Sequence, residues 1–238
     1  MRLLVTRPDP DNARTAAALR SRGHEVTLAP VLRVEPEADA DLSGGPWGAL
    51  LITSANAARA VVAHPRKDGL IGIPVFAVGR RSAEAAREAG FTEVVSADGN
   101  AEDLARLVAA RVPSAAPNHP LLWLAGEDRA DDLVGALAAH AITVLTAVVY
   151  RAVAETALPD DVRDALGAGR VDGVLHYSRR SADAFEAIAM AAGIDLKSLP
   201  TKHYCLSAQV AEPLTQIGVT TVVVAAAPDE ASLFALLG

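Results

Sequence analysis

Six short stretches carry the residues best able to do chemistry: Thr6-Arg7-Pro8, Thr53-Ser54-Ala55-Asn56, Gly79-Arg80-Arg81-Ser82, Ala125-Gly126-Glu127-Asp128-Arg129, Ser178-Arg179-Arg180-Ser181 and Ser207-Ala208-Gln209. Arginine recurs in four of the six, in a chain whose formal net charge is −7. Small hydroxyl residues stand beside it. An arginine holds a carboxylate through two parallel charge-assisted hydrogen bonds. Hydroxyls and the unpaired N–H groups of a helix start add further donors. Together these stretches describe a site for an anionic ligand. Taken one at a time, each arginine is equally well an ordinary solvated turn residue. The pairs Arg80-Arg81 and Arg179-Arg180 weigh against that reading, because each is placed to open a helix, where a cation gains nothing from the helix dipole.

Other chemistries find less support. No G-x-G-x-x-G follows a strand and no G-x-x-x-x-G-K-[ST] is present, so a standard dinucleotide or phosphate loop is missing. The six histidines include no i,i+4 pair. His176 and His203 fall inside expected strands and read as core or site wall rather than metal ligands. Cys205 is the single cysteine, which excludes an internal disulfide and a multi-cysteine zinc site. Lying mid-strand, it reads as a small buried hydrophobe. Ser54 and Ser178 lack the G-x-S-x-G elbow of a hydrolase nucleophile. Asp128, Asp131 and Asp132 could be taken for a metal cluster, but aspartate at a helix start more commonly caps it. No metal or organic cofactor is expected.

These stretches need elements to position them. The chain has 238 residues, 51% hydrophobic, 21% charged and 4% aromatic. That is enough apolar material for one or two packed domains, and it excludes a disordered chain. Few aromatics and an acidic balance argue against nucleic-acid binding. The opening apolar run ends at Arg7-Pro8, too short for a secretion signal. One cysteine and no expected signal fit a reducing, cytoplasmic setting. Residues 133–150 carry no Asp, Glu, Lys or Arg. Their β-branched second half reads as a helix end, a turn at His140 and a buried strand, not a membrane span.

Short apolar runs at 3–6, 25–28, 49–53, 75–78, 93–96, 121–124, 142–149, 173–177, 203–206 and 221–225 alternate with helical stretches. Helices are expected after Asp9 or Asp11 (as cap) and at 56–63, 82–89, 102–111, 131–139, 181–192, 210–217 and 230–237. Glycines stop several of them. This alternation indicates an α/β fold with mostly parallel sheets. The second half repeats the first. Residues 47–58 lie over 171–182, 76–83 over 204–211, and Leu3-Leu4-Val5-Thr6 over Leu122-Trp123-Leu124-Ala125, at offsets of about 120–128 residues. A repeat of that length is a domain-sized duplication. Two similar flavodoxin-like α/β domains with a cleft between them follow as the expectation. Every one of the six stretches then lies at the carboxyl end of a strand, where ligands collect in such sheets.

Leu4-Val5-Thr6-Arg7-Pro8 resembles the start of uroporphyrinogen-III synthases, as does Gly23-His24-Glu25-Val26 leading to Pro30. Leu51-Ile52-Thr53-Ser54-Ala55-Asn56-Ala57 is similar to that family's TS-x-N turn. Residues 75–83 with Ala89-Gly90-Phe91 resemble its VG-x-x-TA and AGF segments. Gly126-Glu127-Asp128-Arg129 with Leu133, then Val148-Val149-Tyr150-Arg151, resemble its GE-x-R and VYR block. The likeness spans nearly the whole chain. There are departures: Ser82 and Val210 stand where the family usually has Thr, and Ser207 and His140 where it usually has Gly.

The resemblance implies an enzyme that takes hydroxymethylbilane, a linear tetrapyrrole with eight carboxylates. It closes the macrocycle with inversion of ring D and loss of water, giving uroporphyrinogen III without a cofactor. It also implies the division of the chain: 1–30 plus 155–238 as one domain, 37–146 as the other, and 31–36 and 147–154 as a two-stranded antiparallel connector. A monomer in transient contact with the preceding pathway enzyme is the implied state, with neither nucleic acid nor membrane as partner. Tyr150, on the connector, is the first candidate to protonate the departing hydroxyl. The other five groups of residues, Ala55, Ala208 and Gln209 among them, are expected to bind substrate, with Gly126, Glu127 and Arg129. A two-domain cytoplasmic binding protein for an anionic small molecule is the competing expectation, and a nucleotide-sugar or NAD enzyme a third.

Overall fold

The computed structural model describes residues 1–112, 119–129 and 132–238. Among these residues the chain runs β1 (Arg2–Val5), α1 (Asp11–Arg20), β2 (Glu25–Leu28), β3 (Leu32–Pro36), β4 (Leu50–Ile52), α2 (Ala55–Val62), β5 (Val75–Ala77), α3 (Arg80–Glu88), β6 (Val94–Ser96), α4 (Ala101–Arg111), β7 (Leu121–Gly126) and α5 (Leu133–Ala138). It continues through β8 (Val144–Ala154), α6 (Asp160–Gly167), β9 (Gly173–His176), α7 (Arg179–Ala191), β10 (Lys202–Cys205), α8 (Ala208–Gln216), β11 (Val222–Val224) and α9 (Glu230–Ala235). By its contacts the chain divides into two units: Met1–Arg33 with Val153–Gly238, and Val34–Ala152.

The first unit holds a parallel sheet in the order β11-β10-β9-β1-β2. Numbered along this unit's own chain, that is the flavodoxin-like order 2-1-3-4-5. Side chains alternate across it, as the pleat requires. Leu4, Val174 and Cys205 pack with Phe185, Ile188, Val210 and Leu214 of α7 and α8. Leu3, Val5, Leu175 and Tyr204 face Leu19, Leu233 and Phe234 of α1 and α9. Each large side chain removed from water here contributes about 1.5–3 kcal/mol.

The second unit repeats this plan with β6-β5-β4-β7-β8, all parallel, and β3 added outside β8. The spatial order is the same, but the chain enters at a different strand. Bonds from Glu37 N to Val149 O and from Glu155 N to Val31 O make the β3–β8 pairing antiparallel. Leu50, Ile52, Leu122 and Leu124 pack under α2 and α3. Leu51, Phe76, Leu121 and Trp123 pack under α4 and α5.

Strand register tests the duplication residue by residue. His203 pairs with Val174 and Cys205 with His176, while Val75 pairs with Leu50 and Ala77 with Ile52. These pairs match at the offsets read from sequence. The first strand does not. Leu4 pairs with Val174, whereas the partner of Leu50 is Leu122. Leu4 therefore corresponds to Leu122, not to Trp123 as residue type alone suggests. A one-residue slip would have put Leu4 on the opposite face of the sheet.

Other expectations also shift. Neither Asp9 nor Asp11 caps α1. Its N-cap is Pro10, without a side-chain bond, and Asp11 is instead drawn into an ion pair with Arg7 at 3.3 Å. Helix α6 was not anticipated. Gly90 and Gly218 end α3 and α8 with φ of +100° and +89°, a conformation that favours glycine. Residues 133–150 form α5, a turn through Ala141 and then β8. Among the described residues no helix is long and apolar enough to cross a membrane.

Candidate functional site

In sheets of this order a ligand site lies beyond the carboxyl ends of the strands, where the chain connections diverge to opposite sides. In the first unit that switch point falls between β1 and β9. In the second it falls between β7 and β4. All six candidate stretches lie in the turns that leave these strands and their neighbours β5 and β10.

At the first unit's switch point the side chains are tightly tied. Thr6 is fully buried, and its hydroxyl donates to Leu175 O at 2.8 Å, joining the ends of β1 and β9. Arg7 is 8% exposed. Its guanidinium reaches Thr15 Oγ1 at 3.1 Å, Glu230 Oε1 at 3.2 Å and Asp11 Oδ2 at 3.3 Å. It also lies 4.2 Å above the ring of Tyr177, a cation–π contact. Glu230 Oε1 accepts in addition from the Thr15 hydroxyl at 2.7 Å and the Tyr177 hydroxyl at 3.2 Å. Burial and then the Glu230 charge push the Tyr177 phenol above its ordinary range, so it stays protonated at all working pH values. Arg7 is thus held by its own unit's carboxylates.

The second unit builds its switch point from other groups. The Trp123 indole donates to Thr53 Oγ1 at 3.2 Å, joining the middle of β7 to the turn that leaves β4. Arg129 donates to Gly126 O at 3.0 Å and sits 5.9 Å from the Trp123 ring centre. The ring of Tyr150 covers Gly126. A Cβ at position 126 would stand 2.6 Å from Tyr150 Cζ and 2.8 Å from its hydroxyl oxygen. Only glycine leaves room for that ring. Glu127 N donates to Tyr150 O at 2.9 Å, which fixes the backbone of both. Thr53, Gly126, Arg129 and Tyr150 are thereby gathered in one place, half-buried to exposed apart from the glycine.

The remaining candidates form helix starts. Ser54 caps α2 and accepts from Asn56 N, whose own side chain accepts from Arg59. Ser178 and Ser181 form a reciprocal capping box on α7. Ser207 caps α8 through Val210 N, and Ala208 and Gln209 follow it, exposed. Gly79 begins α3 with no side-chain cap. Arg80-Arg81 and Arg179-Arg180 hold the first two positions of α3 and α7, where the unpaired backbone N–H groups gather. Arg80 is exposed and pairs loosely with Asp98 at 3.7 Å. Arg179 pairs with Glu212 of α8. Ser82 is buried behind them.

Thr15, Trp123, Tyr177 and Glu230 join the candidates only through the structure. Tyr177 is within reach of the sequence, because it follows a central strand directly. Glu230 lies 223 residues from Arg7, and no local signal joins them. Asp132 does cap α5, accepting from Gly135 N at 2.8 Å, while Asp131 lies outside the described residues. Among the described residues no group of three or more His, Cys, Asp or Glu could hold a metal ion.

The profile of the family Uroporphyrinogen-III synthase HemD matches residues 13–235. The chain belongs to the uroporphyrinogen-III synthase family. Two solved structures share its fold. The uroporphyrinogen-III synthetase of Helicobacter pylori aligns with a TM-score of 0.69 and 18% identity, over 100% of this chain and 98% of that one. A mutant uroporphyrinogen III synthase from Thermus thermophilus aligns at 0.52 and 20% identity, over 100% and 96%. At such identities the likeness concerns the fold alone. No curated protein matches the sequence. Membership makes the chain a cyclising hydro-lyase of tetrapyrrole biosynthesis with a small-molecule tetrapyrrole substrate.

Proposed function

We propose that the chain converts hydroxymethylbilane to uroporphyrinogen III and holds the bilane at the carboxyl-end turns of its sheets. The observation that carries the reaction is the family match over residues 13–235. Left alone, the bilane closes to the type I isomer. The enzyme must direct attack to the substituted carbon of ring D, then let that ring open and reclose inverted. Its chief contribution is to hold one folded conformer of a flexible octa-anion, a positioning effect worth several kcal/mol, on the order of 7–11 in the best-oriented reactions. Helix starts, hydroxyls and arginines suit this task. The groups we assign to binding are Thr6 and Arg7, Thr53 to Asn56, Gly79 to Ser82, Gly126, Glu127 and Arg129, Ser178 to Ser181, and Ser207 to Gln209.

The departing hydroxyl takes a proton and leaves as water. We assign its protonation to Tyr150, because the Tyr150 ring covers Gly126 at the second unit's switch point. The working bodies in this reading are 1–30 with 155–238, and 37–146, joined by 31–36 and 147–154. The enzyme works as a cytoplasmic monomer that meets the preceding pathway enzyme transiently.

The test supplies enzymatically generated hydroxymethylbilane and measures the isomer ratio after oxidation to porphyrins. Predominantly type III product is expected. A protein that merely bound the bilane would slow its closure without changing the isomer, so type I alone from folded protein overturns the reading. In the same assay Tyr150→Phe lowers kcat by about tenfold, below the usual ~10²–10⁴-fold of a general acid because water can replace the phenol. Wild-type turnover would leave Tyr150 a packing residue.

A further inference from the structure

One carboxylate in the first unit collects donors from three separate elements at a single oxygen. Glu230 opens α9, the last helix of the chain. Its Oε1 accepts from Thr15 of α1, from Arg7 in the turn after β1 and from Tyr177 in the turn after β9. The second oxygen faces Arg14 at 3.7 Å. Thr15 is fully buried and Arg7 nearly so, while the Glu230 side chain keeps 30% of its surface exposed, so the bonds are shielded from water on the core side. The two turns that Glu230 joins are those flanking the first unit's switch point, and they lead into Asp11 of α1 and the Ser178 cap of α7. Arg7 over the Tyr177 ring closes the circuit.

We propose that Glu230 is a positioning residue for the synthase reaction, which fixes the β1–α1 and β9–α7 turns relative to each other and thereby sets how the bilane is held at this end of the sheet. The inference rests on the reading that these turns bind substrate. Glu230 need not touch the substrate. It acts through Arg7 and Tyr177, and it ties together two turns beyond the point where the β1–β9 ladder and the Thr6–Leu175 bond end. Binding elements misplaced by about 1 Å lose on the order of a hundredfold in rate, so a carboxylate of this kind affects specificity as well as stability.

The test compares Glu230→Ala, Glu230→Gln and Leu236→Ala with the wild type. Leu236 is a partly buried residue of the same C-terminal segment, packed against the core and outside the network. For each, thermal unfolding, KM, kcat and the type III to type I ratio are measured on protein shown to be folded. Glu230→Ala is expected to raise KM about tenfold and increase the type I share. Glu230→Gln keeps an acceptor oxygen but loses the charge, and should raise KM about threefold. Leu236→Ala should lower the melting temperature and leave KM and isomer ratio unchanged. Should Glu230→Ala fail to fold, Glu230→Gln carries the comparison. Wild-type KM and isomer ratio in the folded Glu230 variants overturn the inference, as does an equal change in Leu236→Ala. Type I product alone from the wild type overturns the synthase reading itself, so the two failures are distinct.

Discussion

Two registers of the same duplicated core carry different chemistry. In the first unit His176 and His203 occupy adjacent strands, both fully buried. His176 Nε2 and His203 Nδ1 share a hydrogen bond of 3.1 Å. Their outer nitrogens, His176 Nδ1 and His203 Nε2, have no hydrogen-bond partner. Phe185 packs edge-on against both rings. In the second unit the corresponding positions hold Ile52 and Val75, both fully buried in a wholly apolar setting. Whichever ring supplies the shared proton, one N–H and one lone pair remain unsatisfied in the first core. Each such group costs about 1–3 kcal/mol. The two units therefore share strand order and register, while one core carries a polar load that the other lacks.

The largest effect should come from exporting that load. Ile52→His with Val75→His places two rings in a core with no partner but each other, and removes two fully buried aliphatic groups. A loss of about 4 kcal/mol in urea unfolding is expected. A loss below about 1 kcal/mol would mean that the second core tolerates the pair as well as the first, and would erase the contrast.

Acid offers a second test. Burial holds the His203 imidazole down to about 4, and burial with the neighbouring ring holds His176 well below its usual value. The folded state therefore favours the neutral rings. Above pH ~6.5 both folded and unfolded chains carry them neutral, and the pair adds no pH dependence. As pH falls below that, the unfolded chain takes up protons first, and stability declines, for His203 until its folded imidazole titrates near pH 4. His203 alone accounts for about 3 kcal/mol over that range. In the variant His176→Ile with His203→Val, which copies the second unit, this dependence should disappear, and stability at pH 7 should be equal or higher. An unchanged acid profile in that variant would assign the titration to other groups.

The smallest effect concerns a helix start. Ser207 caps α8, while Gly79, its counterpart, leaves α3 uncapped. At Gly79 φ is −154°, and a new Cβ would meet only Gly99 O at 4.0 Å. Gly79→Ser should therefore raise stability by a few tenths of a kcal/mol, roughly the Ser-over-Gly difference at an N-cap. A measurable loss would show that the two starts are not equivalent.

Much of this architecture could be read in the chain itself, because parallel strands buried on both faces appear as short apolar runs and glycines mark the helix ends. The turns at the carboxyl ends of the strands followed by rule. Three features escaped for physical reasons. Helix α6 buries only Val162 and Leu166, too few for an apolar stripe to stand out. The first strand slipped by one because Leu3-Leu4-Val5 fits Leu121-Leu122-Trp123 and Leu122-Trp123-Leu124 almost equally in residue type, and only pairing register separates them. The Glu230 network joins residues from opposite ends of the chain, whereas the Gly126–Tyr150 contact lies within a motif block already recognised. Its reason, the ring occupying the place of a Cβ, appeared only in three dimensions.

The different entry points of the two sheets also set the order in which they can be completed during synthesis. Val34–Ala152 is one unbroken stretch and can fold once it has left the ribosome. Met1–Arg33 emerges first, yet the strand that pairs with β1 on its other side starts at Gly173. At roughly 5–20 residues per second, β1 waits on the order of ten seconds for that partner. During this time Leu3, Leu4 and Val5 lack their sheet neighbour, and the nascent chain carries a finished unit behind an unfinished one. Chains ending before Gly173, stalled on the ribosome through an added linker long enough to clear the exit tunnel, should therefore resist protease across Val34–Ala152 and be cut within Met1–Arg33. Equal protection of both would show that the amino-terminal segment finds another shelter.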